Sequence, residues 1–598
     1  MTDLWTRLKQ RKLVQWAVAY VAFAFALLQG VDIVAQQFAW PESVRRGITL
    51  ALALGFFVTL LLAWYHGEQG RQRVSGTELL LLALVLGFGS AFLWWVAGQP
   101  PASSRVQLAA SQSSVAHDVA APSAGPVSET ESIPQKSIAV LPFANESGDK
   151  SEQFFSDGLS EDLITALSQF AGLKVINSDS SFKFRDSHDS VSTIAGKLGV
   201  ARLLQGGVRR LGDEVRIRAE LVNAADGSTQ WSQHYDRPYK DLFKLQDDIT
   251  VAVADALKTR LLASAEGSAQ SDRPPSGNLD AYTAYLKAMA QPRTEAGLRR
   301  AIALLQQAHD LDRNYATAYA VEATGWRFLA DLFLGGEQAQ DANTRARQAA
   351  NTALRIDPGL GRAHYARAYL LLSADFDWNG ALREARRVLQ LAPHGGFAYS
   401  IMRQTLAAVG QTDAAIDVGR QRVAHDPLNA GAHESLALLL WAAGQGETAE
   451  AALRRAIELA PQDSRMHANL ALIRAQRGET AAALAAARSE PPGFWHDFAI
   501  AIALQVGDDR QAADAALKHL IDDYADNGAY QIAEVQALRK NPDAMFHWLT
   551  RAWAQRDPGI QHLLTDPLIL RYKDDPRFAA YCRTVGLPVP AANGAASD

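Results

Sequence analysis

The chain has 598 residues, 48% of them hydrophobic and 21% charged, with a net charge of −5. That length exceeds what one core holds, and the mild acidity, with no basic block beyond the extreme N-terminus, argues against nucleic acid as the main partner. The single cysteine, Cys582, excludes an internal disulfide framework and a cysteine-based metal site, and reads as a small buried hydrophobe.

Residues 1–98 carry three apolar runs, 13–34, 48–65 and 79–96. Each is long enough to cross a hydrocarbon layer of about 30 Å, so three transmembrane helices are expected. Trp16, Tyr20, Trp64, Tyr65, Trp94 and Trp95 stand near their ends, where amphipathic rings favour the interface. The first run is too long for a signal-peptide core. Arg7, Lys9, Arg11, Lys12, Arg71 and Arg73 oppose Arg45 and Arg46 across the layer, which predicts a cytoplasmic N-terminus. The expectation is a multi-pass inner-membrane protein with lipid contact through residues 13–96 and residues 98–598 periplasmic. Asp32 falls at the far interface rather than at a site within the layer. Residues 99–135, rich in Ala, Ser, Pro and Val, read as a disordered tether.

Residues 136–265 read as a small α+β domain. Ser137–Phe143 is an apolar run typical of a buried strand. A helix follows, with Ser160 as its N-cap and Glu161 and Asp162 in its first turn. Leu173–Asn177 is a second strand and Ser192–Leu198 a short helix. Arg202–Arg210 and Glu214–Val222 form a hairpin about Leu211-Gly212-Asp213. Gln230–Tyr235 is a further strand and Leu242–Leu262 a closing amphipathic helix. Asp157, Glu161, Asp162 and Asp213 are read through capping and the helix dipole rather than as a metal or catalytic site. Gly206-Gly207 lacks the phosphate-loop pattern.

This stretch resembles the TolB N-terminal-like family, related to the flagellar FlgO domain. The residues carrying the resemblance are Ile138-Ala139-Val140-Leu141-Pro142-Phe143, Phe155-Ser156-Asp157-Gly158-Leu159-Ser160-Glu161-Asp162-Leu163, Leu204-Gln205-Gly206-Gly207-Val208-Arg209-Arg210, and Trp231 with Tyr235-Asp236-Arg237.

Residues 278–557 keep a period of 34. Pro358, Pro393, Pro427 and Pro461 are separated by 35, 34 and 34; Gly410, Gly444 and Gly478 by 34 and 34. Ala381, Ala415, Ala449 and Ala483 follow in phase. Such a period means a stacked array of paired helices. Glycine ends the first helix, the small alanine lets the second approach, and proline closes it. The pattern resembles the tetratricopeptide (TPR) family, through Leu436-Ala437, Gly444, Ala449, Pro461, Leu470-Ala471, Gly478 and Ala483. About eight pairs are expected. The 45 residues from Ala301 to Ala346 imply an insertion within Leu332–Ala342, and the 29 from Gly478 to Gly507 a shortened unit about Pro491-Pro492. Residues 558–598 read as capping helices and a tail.

The resemblance implies a concave groove for an extended peptide or partner helix. The candidate lining residues are Tyr365, Tyr369, Arg403, His433, His467, Asn469 and Arg474. His433 and His467, one period apart, read as one repeated structural position rather than a zinc pair. The sequence contains no G-x-S-x-G, H-E-x-x-H, C-x-x-C, Walker A or kinase pattern, so no cofactor, metal or catalytic site is assigned. Relatives of this architecture often carry adenylate-cyclase or regulator labels, which belong to N-terminal domains that membrane spans replace here. The function expected is a non-catalytic, membrane-tethered protein–protein scaffold contacting envelope proteins. The alternatives are a transmembrane sensor acting on a cytoplasmic partner and a cyclase-associated signalling protein.

Overall fold

A computed structural model describes residues 133–170, 172–257, 272–393 and 395–590. The α/β region opens with β1 (Ser137–Val140) and β2 (Ala144–Asn145), then α1 (Gln153–Leu167), β3 (Lys174–Val175), α2 (Ser178–Ser181) and α3 (Val191–Leu198). It closes with β4 (Arg202–Leu211), β5 (Glu214–Asn223), β6 (Thr229–Pro238) and α4 (Leu242–Ala256). The sheet order is β3-β1-β4-β5-β6, with β2 beside β4. β1 pairs parallel with β3 and β4, while β4–β5 and β5–β6 are antiparallel. The mixed sheet follows from the connections: β1 reaches β3 through a helix, whereas β4, β5 and β6 are joined by short turns.

Helix α1 begins seven residues before its expected cap. Phe155, Leu159, Leu163 and Leu167, spaced by four, lay one buried stripe on the sheet. Ser160 therefore stands mid-helix. Its Oγ accepts from Phe143 N at 2.9 Å and donates to Ser156 O at 2.9 Å, tying the helix to the end of the first strand. Asp157, Glu161 and Asp162 are likewise interior positions, so capping does not explain them. Arg185 pairs with Asp157 at 2.8 Å.

Among the described residues the helical region holds eight antiparallel pairs. They are α5 (Leu279–Met289) with α6 (Glu295–Leu311), α7 (Ala316–Leu332) with α8 (Gly336–Ile356), α9 (Gly361–Leu370) with α10 (Trp378–Leu391), and α11 (Gly396–Ala408) with α12 (Thr412–His425). Then follow α13 (Ala430–Ala442) with α14 (Gly446–Leu459), α15 (Met466–Gln476) with α16 (Thr480–Ser489), α17 (Phe494–Gln505) with α18 (Arg510–Tyr524), and α19 (Ala529–Leu538) with α20 (Pro542–Gln555). A 3-10 turn at Pro558–His562 and the short helices α21 (Pro567–Leu570) and α22 (Pro576–Thr584) end the described chain.

Gly410, Gly444 and Gly478 adopt φ of 77°, 76° and 76° at the turn inside their pairs, and the next amide reaches back five residues to the first helix. Phe376 and Lys540 hold the same left-handed turn at φ 56° and 58° without glycine's freedom. Ala381, Ala415, Ala449 and Ala483 are all fully buried where the two helices of a pair approach. The expected insertion is no loop: it lengthens α7 and α8 to 17 and 21 residues. Cys582 is fully buried, and burial pushes its thiol up to about 11.

The array does not begin as a separate body. Tyr282 and Tyr285 of α5 are buried in the same core as α1, α4 and the sheet. A side chain on Gly158 would collide with Leu286, so α1 and α5 touch through that glycine.

The fold class is corrected in one respect. Three transmembrane helices are not supported, because no helix among the described residues is long and apolar enough to cross a membrane. The longest, α8, is rich in Gln, Asn, Arg and Ala and packs only one alanine face. The runs 13–34, 48–65 and 79–96 lie outside the described residues, as does the tether read at 99–135 up to residue 132. The multi-pass inner-membrane placement with residues 98–598 periplasmic, and lipid contact through residues 13–96, rested on those spans and lose their support with them.

Candidate functional site

Tyr365 and Tyr369 stand one turn apart on α9, half-buried, with ring centroids 6.2 Å apart. Phe328 of α7 meets Tyr369 edge-on at 5.6 Å, and Phe397 of α11 meets Tyr365 edge-on at 5.6 Å. Four rings thus form a continuous ladder across three successive pairs. Guanidinium groups lie on it: Arg293 over Phe328 at 5.7 Å, Arg327 over Tyr369 at 5.7 Å, and Arg362 over Phe397 at 5.4 Å. Tyr369 also donates its hydroxyl to Asp331.

The ladder is one wall of a cavity of about 880 Å³ whose other wall is the α/β region, including Thr165 of α1, Ser168 at its C-cap and Asn177. Two sets of contacts hold the walls together. At one edge Tyr282 of α5 donates to Asp162 of α1, which also accepts from Gln246 within the α/β region at 2.7 Å. Arg362 forks onto Asp272 at 2.9 and 2.8 Å. At the other edge, Ser180 of α2 donates to Asp426, and Leu428 N donates to Ser180 Oγ at 2.9 Å. Asn429 donates to Asp179 at 2.8 Å, and Asn177 N to the His425 carbonyl at 3.1 Å.

The first edge is costly at neutral pH. Burial pushes Asp162 up to about 7, opposed by its hydrogen bonds from Tyr282 and Gln246. Burial likewise lifts Glu161 to about 7, with Arg362 opposing and the neighbouring carboxylates adding. An acid whose folded pKa lies above its unfolded value of about 4 binds its proton more tightly when folded. The stability this gives is present below pH 4 and is lost as pH rises through 7. Thermal melts should therefore rise as pH falls from 8 to 5, and Asp162→Asn, neutral throughout, should flatten that slope. An unchanged slope would remove Asp162 from the account. Arg362 is pulled down by burial but held above its ordinary range by Asp272.

The other expected groove residues are placed differently. Arg403 lies on α11 with its Nε unpaired; burial first, then Arg422 and Arg465, pull it down to about 9, so it stays charged at neutral pH. His433 donates Nε2 to the Pro427 carbonyl at 2.9 Å. His364 does the same to Pro358 at 2.9 Å, so this is a structural position repeated in the array. Asn469 donates to buried Glu434 at 2.9 Å, which Arg465 also clamps at 2.8 and 3.0 Å. Arg474 is committed to Glu450 of the preceding pair at 2.8 Å. His467 is half-buried on α15. The structure therefore gathers Tyr365 and Tyr369 at the cavity and ties His433, Asn469 and Arg474 into the array itself. Phe328, Phe397, Arg293, Arg422 and Asn177 complete the cavity. Helix position offered a signal for Phe397, which opens α11 much as Tyr365 sits on α9; nothing periodic points to Asn177, which comes from the other region.

Residues 134–251 match the family model described as HilA/YgeH-like transcriptional regulator, second domain. A curated protein of Rhizobium meliloti (strain 1021), named "Putative adenylate cyclase 3", is 40% identical over 140 residues, 23% of this chain and 24% of that protein. The match thus spans about a quarter of that relative's length. Among solved structures, PilF of Pseudomonas aeruginosa aligns at 17% identity over 38% of this chain and 98% of its own, with a TM-score of 0.30. YrrB, described as a TPR protein with an unusual peptide-binding site, aligns at 20% identity over 33% and 93%, with a TM-score of 0.23. PilW, described as a type IV pilus biogenesis factor, aligns at 16% identity over 41% and 94%, with a TM-score of 0.28.

Proposed function

We propose that this chain is a non-catalytic protein-interaction scaffold, and that the helical array supplies its recognition surface with the α/β region as a fixed second wall. In this reading residues 136–265 form a TolB N-terminal-like domain, residues 278–557 a TPR solenoid and residues 558–598 its cap. The observation that carries it is the aromatic ladder. Phe328, Tyr369, Tyr365 and Phe397 stay half-exposed on consecutive pairs, each packed by one side against a buried core. Aromatic rings kept at a concave surface supply contact area at low entropic cost to a bound segment. Arg403, with an unpaired Nε, and His467 extend the surface along the array; His433, Asn469 and Arg474 shape it from behind.

The test is selection of random peptides displayed on phage by the full chain, with counter-selection by the Tyr365→Ala/Tyr369→Ala variant. Peptides that bind the parent at least about tenfold more tightly than the variant are expected, since a buried aromatic anchor is worth about 2 kcal/mol or more. If every selected peptide binds both proteins equally while both melt at the same temperature, the ladder is not the recognition surface.

A second reading, a cyclase-associated signalling protein, is favoured only by the name of the Rhizobium meliloti relative. Cyclic nucleotide formation by the purified chain, measured with and without candidate partners, decides it.

A further inference from the structure

The chamber between the α/β region and the array has an imbalance between donors and acceptors. Three of its five carboxylates are committed, Asp272 to Arg362, Asp426 to Ser180, and Asp179 to Asn429, while the side chains of Glu161 and Asp463 hold no hydrogen bond or ion pair among the described residues. Three of its donors are free or nearly so. Among the described residues Arg293, an exposed side chain, has no hydrogen-bond or ion-pair partner and lies over the face of Phe328. Arg422 has a single long bond to Ser435 at 3.4 Å and no ion pair, although Asp426, Asp179 and Glu434 lie near enough to act on it. No hydrogen bond holds the Tyr365 hydroxyl among the described residues. All three line the same cavity, beside the ring ladder; the unpaired amide nitrogen of Asn177 is instead buried against Gly396. Unpaired donors at a half-closed site call for an acceptor-rich ligand, and the ladder calls for a flat one.

The geometry points to a small-molecule site here: the chamber binds an aromatic anion, with its ring against Tyr365 and Phe397 and its phosphate or carboxylate between Arg293 and Arg422. The volume of about 880 Å³ lies within the range of small-ligand pockets. Contacts at both edges of the chamber join its walls, so a compact ligand fits without parting them. This inference goes beyond the scaffold reading and does not depend on it.

The experiment is isothermal titration of the full chain with phenyl phosphate and with phenylacetate, beside inorganic phosphate and benzamide. One ring anion per chain should bind saturably, at least about tenfold more tightly than the anion or the ring alone. Which of the two ring anions binds identifies the anionic group. Arg293→Met with Arg422→Met should weaken binding at least about tenfold, while Arg454→Met, on an exposed ion pair with Glu450, should leave it unchanged. Tyr365→Phe removes one oxygen and keeps the ladder, so it remains informative should the double variant melt early; it should weaken binding about threefold. No saturable binding by either ring anion overturns the proposal. Equal binding by inorganic phosphate, or binding indifferent to both Arg293→Met/Arg422→Met and Tyr365→Phe, also overturns it.

Discussion

Trp378→Ala is expected to destabilise the helical region by about 3–5 kcal/mol, the cost of emptying a large aromatic site in a packed core. Trp378 is 2% exposed at the start of α10. Its ring stacks on Phe376 at 5.2 Å, and Phe376 stacks on Trp553 of α20 at 5.5 Å. Its Nε1 donates to the Val585 carbonyl at 2.7 Å, two hundred and seven residues away. The C-terminal segment thus folds back on the turn edge of the third and fourth pairs, where Leu564 also packs beside Gly410. Losing the indole leaves a cavity and an orphaned carbonyl together. Trp378→Phe keeps the stack and loses the bond, and should cost about 1–3 kcal/mol. Urea melts followed by hydrogen exchange of residues 558–587 check both. The exchange readout matters because a chain of this size need not unfold in one step. If residues 558–587 stay as protected in Trp378→Ala as in the parent, the fold-back is not held at this residue.

That fold-back marks the limit of what the sequence discloses. The 34-residue period was legible because a left-handed turn favours glycine strongly enough to leave Gly410, Gly444 and Gly478 in phase. The same turn at Phe376 and Lys540 was not legible, since packing there holds a residue that local preference disfavours. Phe376 instead spends its side chain on Trp378 and Trp553. The start of α1 was misread for a related reason. Ser160-Glu161 looks like a cap, but Phe155, Leu159, Leu163 and Leu167 form a helical stripe that begins earlier, and burial of the stripe decided the boundary.

The candidate site divides in the same way. Tyr365 and Tyr369 could be found because they repeat a position in an array whose geometry is known from its period. Asn177, Ser180 and Asp179 could not. Their partners His425, Asp426 and Asn429 lie about 250 residues further on, and no local pattern encodes that pairing. The same holds for Asp162 and Tyr282. What the sequence presents as two domains is joined by a shared core at α5 and by hydrogen bonds at both edges of the chamber.

Gly206→Val should do the most damage in the α/β region, costing about 3 kcal/mol or more and preventing recovery of folded chain if the sheet cannot relax. Gly206 lies in the middle of β4, between β5 on one side and the break between β1 and β2 on the other. A Cβ there would stand 2.0 Å from the Arg218 carbonyl oxygen and 2.8 Å from the ring of Phe143. The first contact is with backbone of a paired strand, which cannot step aside without breaking its ladder. The second is with a fully buried ring whose own backbone is fixed by Ser160. The glycine pair thus has a steric reason: Gly206 lets Phe143 lie flat against the sheet, and Gly207 makes room for Glu146, whose carboxylate would meet a Cβ at 2.1 Å. The informative control is Gly196→Ala, on the exposed face of helix α3, where a Cβ meets nothing within 4 Å. It should stabilise by about 0.5–1 kcal/mol through helix propensity. Circular dichroism and urea melts of the two variants should move in opposite directions. Wild-type stability in Gly206→Val would mean that β4 and β5 are not paired in the register that places Gly206 opposite Ala219.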